Sequence, residues 1–308
     1  MSLTKIFDPK KSMQLFGLNE KFDFFKNLIL KNNLPKVTLL TGEKGIGKST
    51  LVNHIMYYLY DKENYDEEKK LIIKESNFFS HFKNNSFPNI MYLNGSDSNK
   101  ISIEDVRVLK NQLLKSSILD KKRFIILDNI ENFNQTSLNA LLKIIEEPND
   151  KNYFILINNK SKPLLETIKS RCLEIKIIIS SKKKSEIIDL LINSFNQKLT
   201  LKKDIVPVTP GNFIKFNFIF NEKKLDINNK MSFNFNAILN LYKKEKDFIY
   251  KDLLLFLVGY NSQIDLSNNL IDKQKMIEKR LFVIKNINDF FLYNLNQTTL
   301  LNSIYKKF

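Results

Sequence analysis

Thr41-Gly-Glu-Lys-Gly-Ile-Gly-Lys-Ser-Thr50 is the stretch that decides the fold class. Glycine is scarce in this chain, 7 of 308 residues, yet Gly42, Gly45 and Gly47 fall together here. Gly42, Gly47, Lys48 and Ser49 satisfy the spacing G-x-x-x-x-G-K-[ST]. Upstream, Val37-Thr-Leu-Leu40 is a short apolar run suited to a buried strand. Downstream, Leu51, Ile55, Tyr58 and Leu59 recur at helical spacing. Strand, glycine loop and helix in that order turn backbone N–H groups inward and add the partial positive charge of a helix N-terminus. That is a cradle for phosphates. The nucleotide-binding set is therefore expected to be Gly42, Glu43, Lys44, Gly45, Ile46, Gly47, Lys48, Ser49 and Thr50. Lys48 would reach the β- and γ-phosphates of ATP, and Ser49 (or Thr50) would ligate Mg²⁺. A tight turn between strand and helix is the plainer alternative.

Working outward, Arg123-Phe-Ile-Ile-Leu-Asp128 is an apolar strand that ends in a carboxylate. Asp128 is expected to hold the Mg²⁺ shell, usually through water; a simple strand-end cap is the alternative. In many ATPases of this kind a Glu follows directly and acts as the base for attacking water. Here the next residue is Asn129, which hydrogen-bonds water but accepts no proton, so a general-base contribution of roughly 10²–10⁴ is expected to be missing. Glu131 is close in sequence but is expected to point elsewhere. Gln135 to Glu147 reads as a helix with Leu138, Leu141, Leu142 and Ile145 on one face, stopped by Pro148. Tyr153-Phe-Ile-Leu-Ile157 reads as another buried strand, tipped by Asn158 and Asn159. A polar residue there, Asn158 or Asn159, is expected to sense the γ-phosphate or position water. Pro163 to Lys169 reads as a short helix, and Leu173 to Ile179 as a strand.

Composition narrows the class. The chain is 43% hydrophobic, with 25 Phe and 11 Tyr, enough for a packed core and against wholesale disorder. Lys and Arg number 49 against 33 Asp and Glu, for a net charge of +16. Only Arg107, Arg123, Arg171 and Arg280 are arginines, so the charge is almost all lysine; it suits either a nucleic-acid neighbour or a solvated surface. One Cys and two His argue against a disulfide and against a Cys- or His-based metal site. Met1–Lys10 has no apolar core of a leader, and no apolar run approaches a membrane span. A cytoplasmic, soluble chain without membrane partners is expected.

Three stretches together carry a resemblance. Ser137-Leu-Asn-Ala-Leu-Leu-Lys-Ile-Ile-Glu-Glu-Pro148, Tyr153–Ile157 and Thr167-Ile-Lys-Ser-Arg-Cys172 resemble the AAA+ subunits of the bacterial DNA polymerase III clamp loader, delta-prime subunits first and gamma/tau subunits second. Leu15–Glu20, Pro88-Asn89 and Ile101–Arg107 extend the likeness, which covers about residues 13–179. The resemblance implies an α/β P-loop AAA+ domain, with a parallel sheet flanked by helices, over 1–179. It also implies a helical lid over 180–228 and an all-α C-terminal collar over 229–308. It implies that Arg171 is a finger acting in trans on the ATP of an adjacent subunit, a role suited to a planar, permanently charged guanidinium; a structural salt bridge near a strand start is the alternative for this residue. Cys172 reads as a small apolar residue on an incoming strand.

The chain departs from the family pattern in several places. Asn129 stands for the usual Glu, and Asn212, in Thr209-Pro-Gly-Asn-Phe213, stands where the lid usually supplies an Arg. Family members often carry a four-Cys zinc module where residues 61–88 here have no Cys, so no zinc is expected. A kept phosphate loop with lost catalytic positions suggests a delta-prime-like subunit that binds ATP and Mg²⁺ with weak or absent hydrolysis. The implied partners are the gamma/tau and delta subunits, with the sliding clamp and primer–template DNA reached through the assembled complex. A gamma/tau-like motor ATPase is the alternative, and an unrelated P-loop protein such as a small-molecule kinase a further one. Lys143, and the helix starts near Ile103 and Gln135, could face DNA or solvent.

In the remainder, Ser180–Ser185 reads as a polar break opening the lid, and 201–212 as a loop. Ile277, Leu281, Ile284, Ile287 and Phe291 form a stripe at 3–4 spacing, the seam of a packed helix in a collar or in an ordinary core.

Overall fold

The computed structural model describes residues 6–95, 101–114, 121–267 and 273–305. Its contacts group the chain into two compact units, Leu3–Lys183 and Lys184–Phe308.

In the first unit the helices are α1 (Asn19–Leu30), α2 (Lys48–Tyr60), α3 (Asn77–Lys83), α4 (Ile103–Leu114), α5 (Gln135–Ile145) and α6 (Glu166–Lys169). The strands are β1 (Val37–Thr41), β2 (Ile90–Asn94), β3 (Arg123–Asp128), β4 (Asn152–Asn158) and β5 (Leu173–Lys176). They form one parallel sheet in the order β2-β3-β4-β1-β5. Strands β1, β3 and β4 are buried along their whole length, which explains why they read as near-continuous apolar runs rather than alternating ones. On one face, Leu39, Ile125, Leu127, Phe154 and Leu156 pack with Val106 and Leu109 of α4 and Leu138, Leu141 and Ile145 of α5. Register then sets the site: Asn94 lies beside Asp128, Asp128 beside Ile157, and Thr41 beside Asn158. All these strand ends open on the same edge of the sheet.

The expected strand Leu173–Ile179 is regular only as far as Lys176. It is an edge strand, with Leu173, Glu174 and Lys176 exposed, so only one neighbour holds it. The helices expected over 135–147 and 163–169 are shorter, at Gln135–Ile145 and Glu166–Lys169. The lysine- and asparagine-rich region 61–88 is not featureless. It contains two short antiparallel strands (Tyr65–Asp66 and Leu71–Ile72) and α3, whose Phe78 and Phe82 stack at 5.4 Å. Phe78 also meets Tyr57 of α2 edge-on at 5.1 Å and Phe87 at 4.8 Å. Among the described residues no group of three or more His, Cys, Asp or Glu could hold a metal ion.

The second unit is helical: α7 (Ser181–Ser194, entering from the first unit), α8 (Pro210–Glu222), α9 (Met231–Glu245), α10 (Ile249–Ser267), α11 (Lys273–Tyr293) and α12 (Gln297–Tyr305). Three sequence expectations are corrected here. Ser180–Ser185 is helical from Ser181 onward rather than irregular, with the Ser180 hydroxyl accepting the Lys183 N–H at 3.4 Å, although the division between the two units does fall within it, after Lys183. The loop expected over 201–212 ends earlier, at Thr209, since Pro210 occupies the first helical turn, where its missing N–H costs nothing. On α11 the buried residues are Met276, Val283, Ile287 and Phe290, while Ile277 and Leu281 of the expected stripe are exposed. Asn217, fully buried on α8, ties down the preceding segment. Its Oδ1 accepts from the N–H groups of Thr200 and Leu201, and its Nδ2 donates to the Lys198 carbonyl. Among the described residues no helix is long and apolar enough to cross a membrane.

Candidate nucleotide site

The glycine loop leaves β1 and enters α2 with the geometry its composition demands. Gly47 is the N-cap of α2 at φ 102°, a left-handed conformation that side chains disfavour, and no side chain caps the helix. The helix N-terminus is thus left with backbone donors for an anion. Gly42 is needed for closeness: a Cβ there would lie 2.8 Å from the Ile177 carbonyl oxygen. Glu43 and Lys44 are exposed, Ile46 is buried, and Ser49 and Thr50 are half-buried.

Lys48 is 2% exposed, and its Nζ donates to the carbonyls of Gly42 and Glu43, both at 2.8 Å. Burial lowers its pKa to about 8, opposed by the negative charges of Asp128, Glu131 and Glu43. The loop therefore holds a cation folded onto its own carbonyls, which a phosphate would draw away.

Asp128 is buried at the end of β3. Its Oδ2 accepts from Ser49 Oγ at 2.8 Å and from the Tyr92 hydroxyl at 2.8 Å, while its Oδ1 accepts from the Asn129 N–H at 2.8 Å. Burial raises its pKa, and these three donors together with Lys48 work against that rise. The same burial, with the negative charge and hydrogen bond of Asp128, holds the Tyr92 phenol well above its usual range. The donor set fits a magnesium ion. Ser49 gives its hydrogen to Asp128, which leaves its oxygen lone pairs for a hard cation, and the carboxylate stands ready for the ion's waters.

Across the strand ends runs a chain of amides. Asn129, at φ 54°, donates from Nδ2 to Asn94 Oδ1 at 2.7 Å and accepts from Asn159 Nδ2 at 2.6 Å. The Glu131 carboxylate is buried and turned to the loop after β4: its Oε1 accepts from the Asn159 N–H at 3.0 Å and from the Ser161 hydroxyl at 2.9 Å. Asn158, also buried, accepts the Lys160 N–H at 2.8 Å with its side chain and the Gly42 N–H at 3.2 Å with its carbonyl. Its side chain closes its own turn, whereas that of Asn159 reaches Asn129.

Ser49, Lys48, Asp128, Asn129 and the two tip asparagines are thus brought together. Arg171 is not among them. Its guanidinium bonds to Glu146 through Nε at 2.8 Å and Nη2 at 2.7 Å, and to the Thr167 carbonyl through Nη1 at 2.9 Å. Its side chain is 36% exposed. Cys172 is half-buried, and burial pushes its thiol up to about 12, which makes it a poor nucleophile at neutral pH. Lys143 is exposed on α5. Tyr92 escapes the sequence reading, with no local pattern to mark it, and Glu146, though part of the Glu-Glu-Pro stretch, has no role toward Arg171 in that reading.

A glycine loop at a helix N-terminus, a strand-end carboxylate beside its serine, and a five-stranded parallel sheet with β4 between β1 and β3 define a P-loop protein of the AAA+ class. The family described as DNA polymerase III, delta subunit, matches residues 17–180, just over half of the chain, and the chain belongs to that clamp-loader family. The DNA polymerase III subunit delta' of Buchnera aphidicola (subsp. Baizongia pistaciae) is 30% identical over 139 residues, 44% of this chain and 41% of that protein. The corresponding subunit of Pseudomonas aeruginosa is 29% identical over 137 residues, again 44% and 41%. The match thus spans less than half the length of these delta-prime relatives. A DNA polymerase III gamma subunit-related protein of Thermotoga maritima shares the fold, with a TM-score of 0.50 at 17% identity over 93% of this chain and 98% of that one.

Proposed function

We propose that the chain is a delta-prime-like subunit of the DNA polymerase III clamp loader that binds ATP with Mg²⁺ and hydrolyses it weakly or not at all. The observation that carries this reading is the state of Asn129. The phosphate loop and the Ser49–Asp128 pair are intact. The position after Asp128, by contrast, holds an amide tied between Asn94 and Asn159. The next carboxylate along the chain, Glu131, is taken up by the loop after β4. On this reading Gly42 to Thr50 bind the nucleotide phosphates and Lys48 meets the β- and γ-phosphates. Ser49 and Asp128 hold Mg²⁺, directly and through water, and the ion would neutralise phosphate charge. Asn158 or its neighbour stands by the γ-phosphate.

Arg171 is the residue offered outward, as a finger for the ATP of an adjacent subunit. The partners are the gamma/tau and delta subunits, with the sliding clamp and primer–template DNA met through the assembled complex in the cytoplasm. Residues 1–179 are the nucleotide domain, 180–228 the lid and 229–308 the collar. The exposed Ile277 and Leu281 on α11 suit a helix that awaits neighbours.

Equilibrium binding of a fluorescent ATP analogue to the purified chain, with turnover followed in the same tube, tests the reading. Binding without turnover is the expected result. Turnover of about 1 s⁻¹ or faster, ordinary for an enzyme, would move the chain to a gamma/tau-like motor. Absent binding would reduce the loop to a structural turn.

A further inference from the structure

We propose that Tyr92 is a positioning residue that weakens the hold of Asp128 on magnesium, and that Lys10 keeps it in place. The inference rests on the ATP–Mg²⁺ reading above. Tyr92 stands on β2, beside the strand that carries Asp128, and its hydroxyl donates to Asp128 Oδ2 at 2.8 Å. That oxygen already accepts from Ser49 Oγ, and Oδ1 accepts from the Asn129 N–H. Three protein donors therefore claim the carboxylate that a metal-bound water would use. The Ser49 bond leaves its oxygen free for the cation. The Tyr92 bond competes with that water and adds no ligand of its own.

A second, independent contact points the same way. Lys10, only 7% exposed, places its Nζ 4.0 Å from the centre of the Tyr92 ring and also donates to Asn85 Oδ1. Asp8 closes the turn that carries it, accepting the Lys10 N–H at 3.0 Å. A buried ammonium on the ring face is drawn to the π electrons and withdraws density from the phenol, which makes its O–H a stronger donor. The segment around residues 8–11 thus reaches the metal arm of the site through the Tyr92 ring, besides the direct attraction between the Lys10 and Asp128 charges.

The test measures the dissociation constant of a fluorescent ATP analogue in excess Mg²⁺ and in EDTA for the wild-type chain, Tyr92→Phe and Lys10→Met. Tyr92→Phe keeps the ring and removes only the competing donor. The expected result is a Mg²⁺-dependent gain in affinity about three- to tenfold larger than in wild type, the scale of one hydrogen bond, with the EDTA value unchanged. Lys10→Met retains the phenol and is expected to move in the same direction by less. An unchanged or smaller magnesium gain in Tyr92→Phe overturns the inference. So does an equal shift with and without metal, which marks a packing role. Should Tyr92→Phe fail to fold, Tyr92→Leu, which also removes the hydroxyl, decides by the same ratio. Wild-type chain that binds nucleotide without any magnesium gain removes the inference and leaves nucleotide binding standing. Wild-type chain that binds none removes both.

Discussion

Arg171 and Glu146 meet at one oxygen: the Nε and Nη2 of the arginine lie 2.8 and 2.7 Å from Glu146 Oε1. Nη1 is turned to the Thr167 carbonyl, so the plane of the guanidinium is set by its own chain before any neighbour arrives. Both side chains are more than a third exposed, and a pair of that kind contributes about 0–1 kcal/mol to stability. It orients the arginine at little cost and can be exchanged for a stronger anion such as a phosphate.

Arg171→Ala is expected to leave the isolated chain's melting temperature nearly unchanged. It should lower ATP turnover of the reconstituted complex by about 10³-fold or more, the scale of a trans finger. Glu146→Gln loosens the arginine and retains it; the complex should lose several-fold in kcat with KM unchanged. Steady-state kinetics of the assembled complex checks both, and full turnover with Arg171→Ala would remove the finger.

Lys48→Ala should abolish nucleotide binding with the fold kept. The Nζ is buried on two carbonyls that a bound phosphate would replace as its partners. Charge-assisted bonds of about 1.5–3 kcal/mol each make a loss of roughly 100-fold in affinity the least to expect. Fluorescent-nucleotide titration reads the affinity and circular dichroism the fold.

Asn129→Glu should fail to convert the chain into a motor. The residue sits at φ 54°, where Asn is at home and Glu is strained by about 1 kcal/mol. Its side chain also lies between Asn94 and Asn159. Turnover by the purified variant is expected to rise less than tenfold; a rise of about 10² or more, the scale of a working base, would contradict this.

Acid should strike the first unit through His54. The ring is fully buried on α2, with Nε2 3.0 Å from the Ser12 carbonyl and Nδ1 3.1 Å from the Tyr65 hydroxyl. Nε2 must therefore carry the proton, and Nδ1 accepts from Tyr65. Burial lowers the pKa from 6.5 to about 4. The unfolded chain binds the extra proton first, so the stability is complete above pH 6.5 and erodes as the pH falls towards 4, by up to about 3 kcal/mol. Urea unfolding at pH 7 and pH 4.5 should show a smaller pH loss in His54→Gln than in wild type.

The parts legible in the sequence are those whose chemistry is local. The Gly42–Ser49 spacing announces itself because a loop and the helix it opens need no distant partner. Arg123–Asp128 and Tyr153–Ile157 read as strands because both of their faces are buried. Tyr92 stays hidden because it acts through strand register, on a carboxylate 36 positions away. Glu146 stands in a recognisable stretch, but its pairing with Arg171 stays hidden because that partner lies 25 residues on, past a strand and a helix. On α11 the 3–4 spacing was compatible with two adjacent seams, and packing buries the one through Met276, Val283, Ile287 and Phe290. The lysines after Ser180 suggest a break, yet long charged side chains are at ease in an exposed helical turn.

The rings of Tyr57, Phe78, Phe82 and Phe87 give the segment after α2 a temperature signature. Order that rests on apolar rings follows the hydration of carbon, which weakens on cooling as well as under denaturant. The stretch around α3 should therefore be held most firmly in the warm range and be among the first parts of this unit to loosen near freezing.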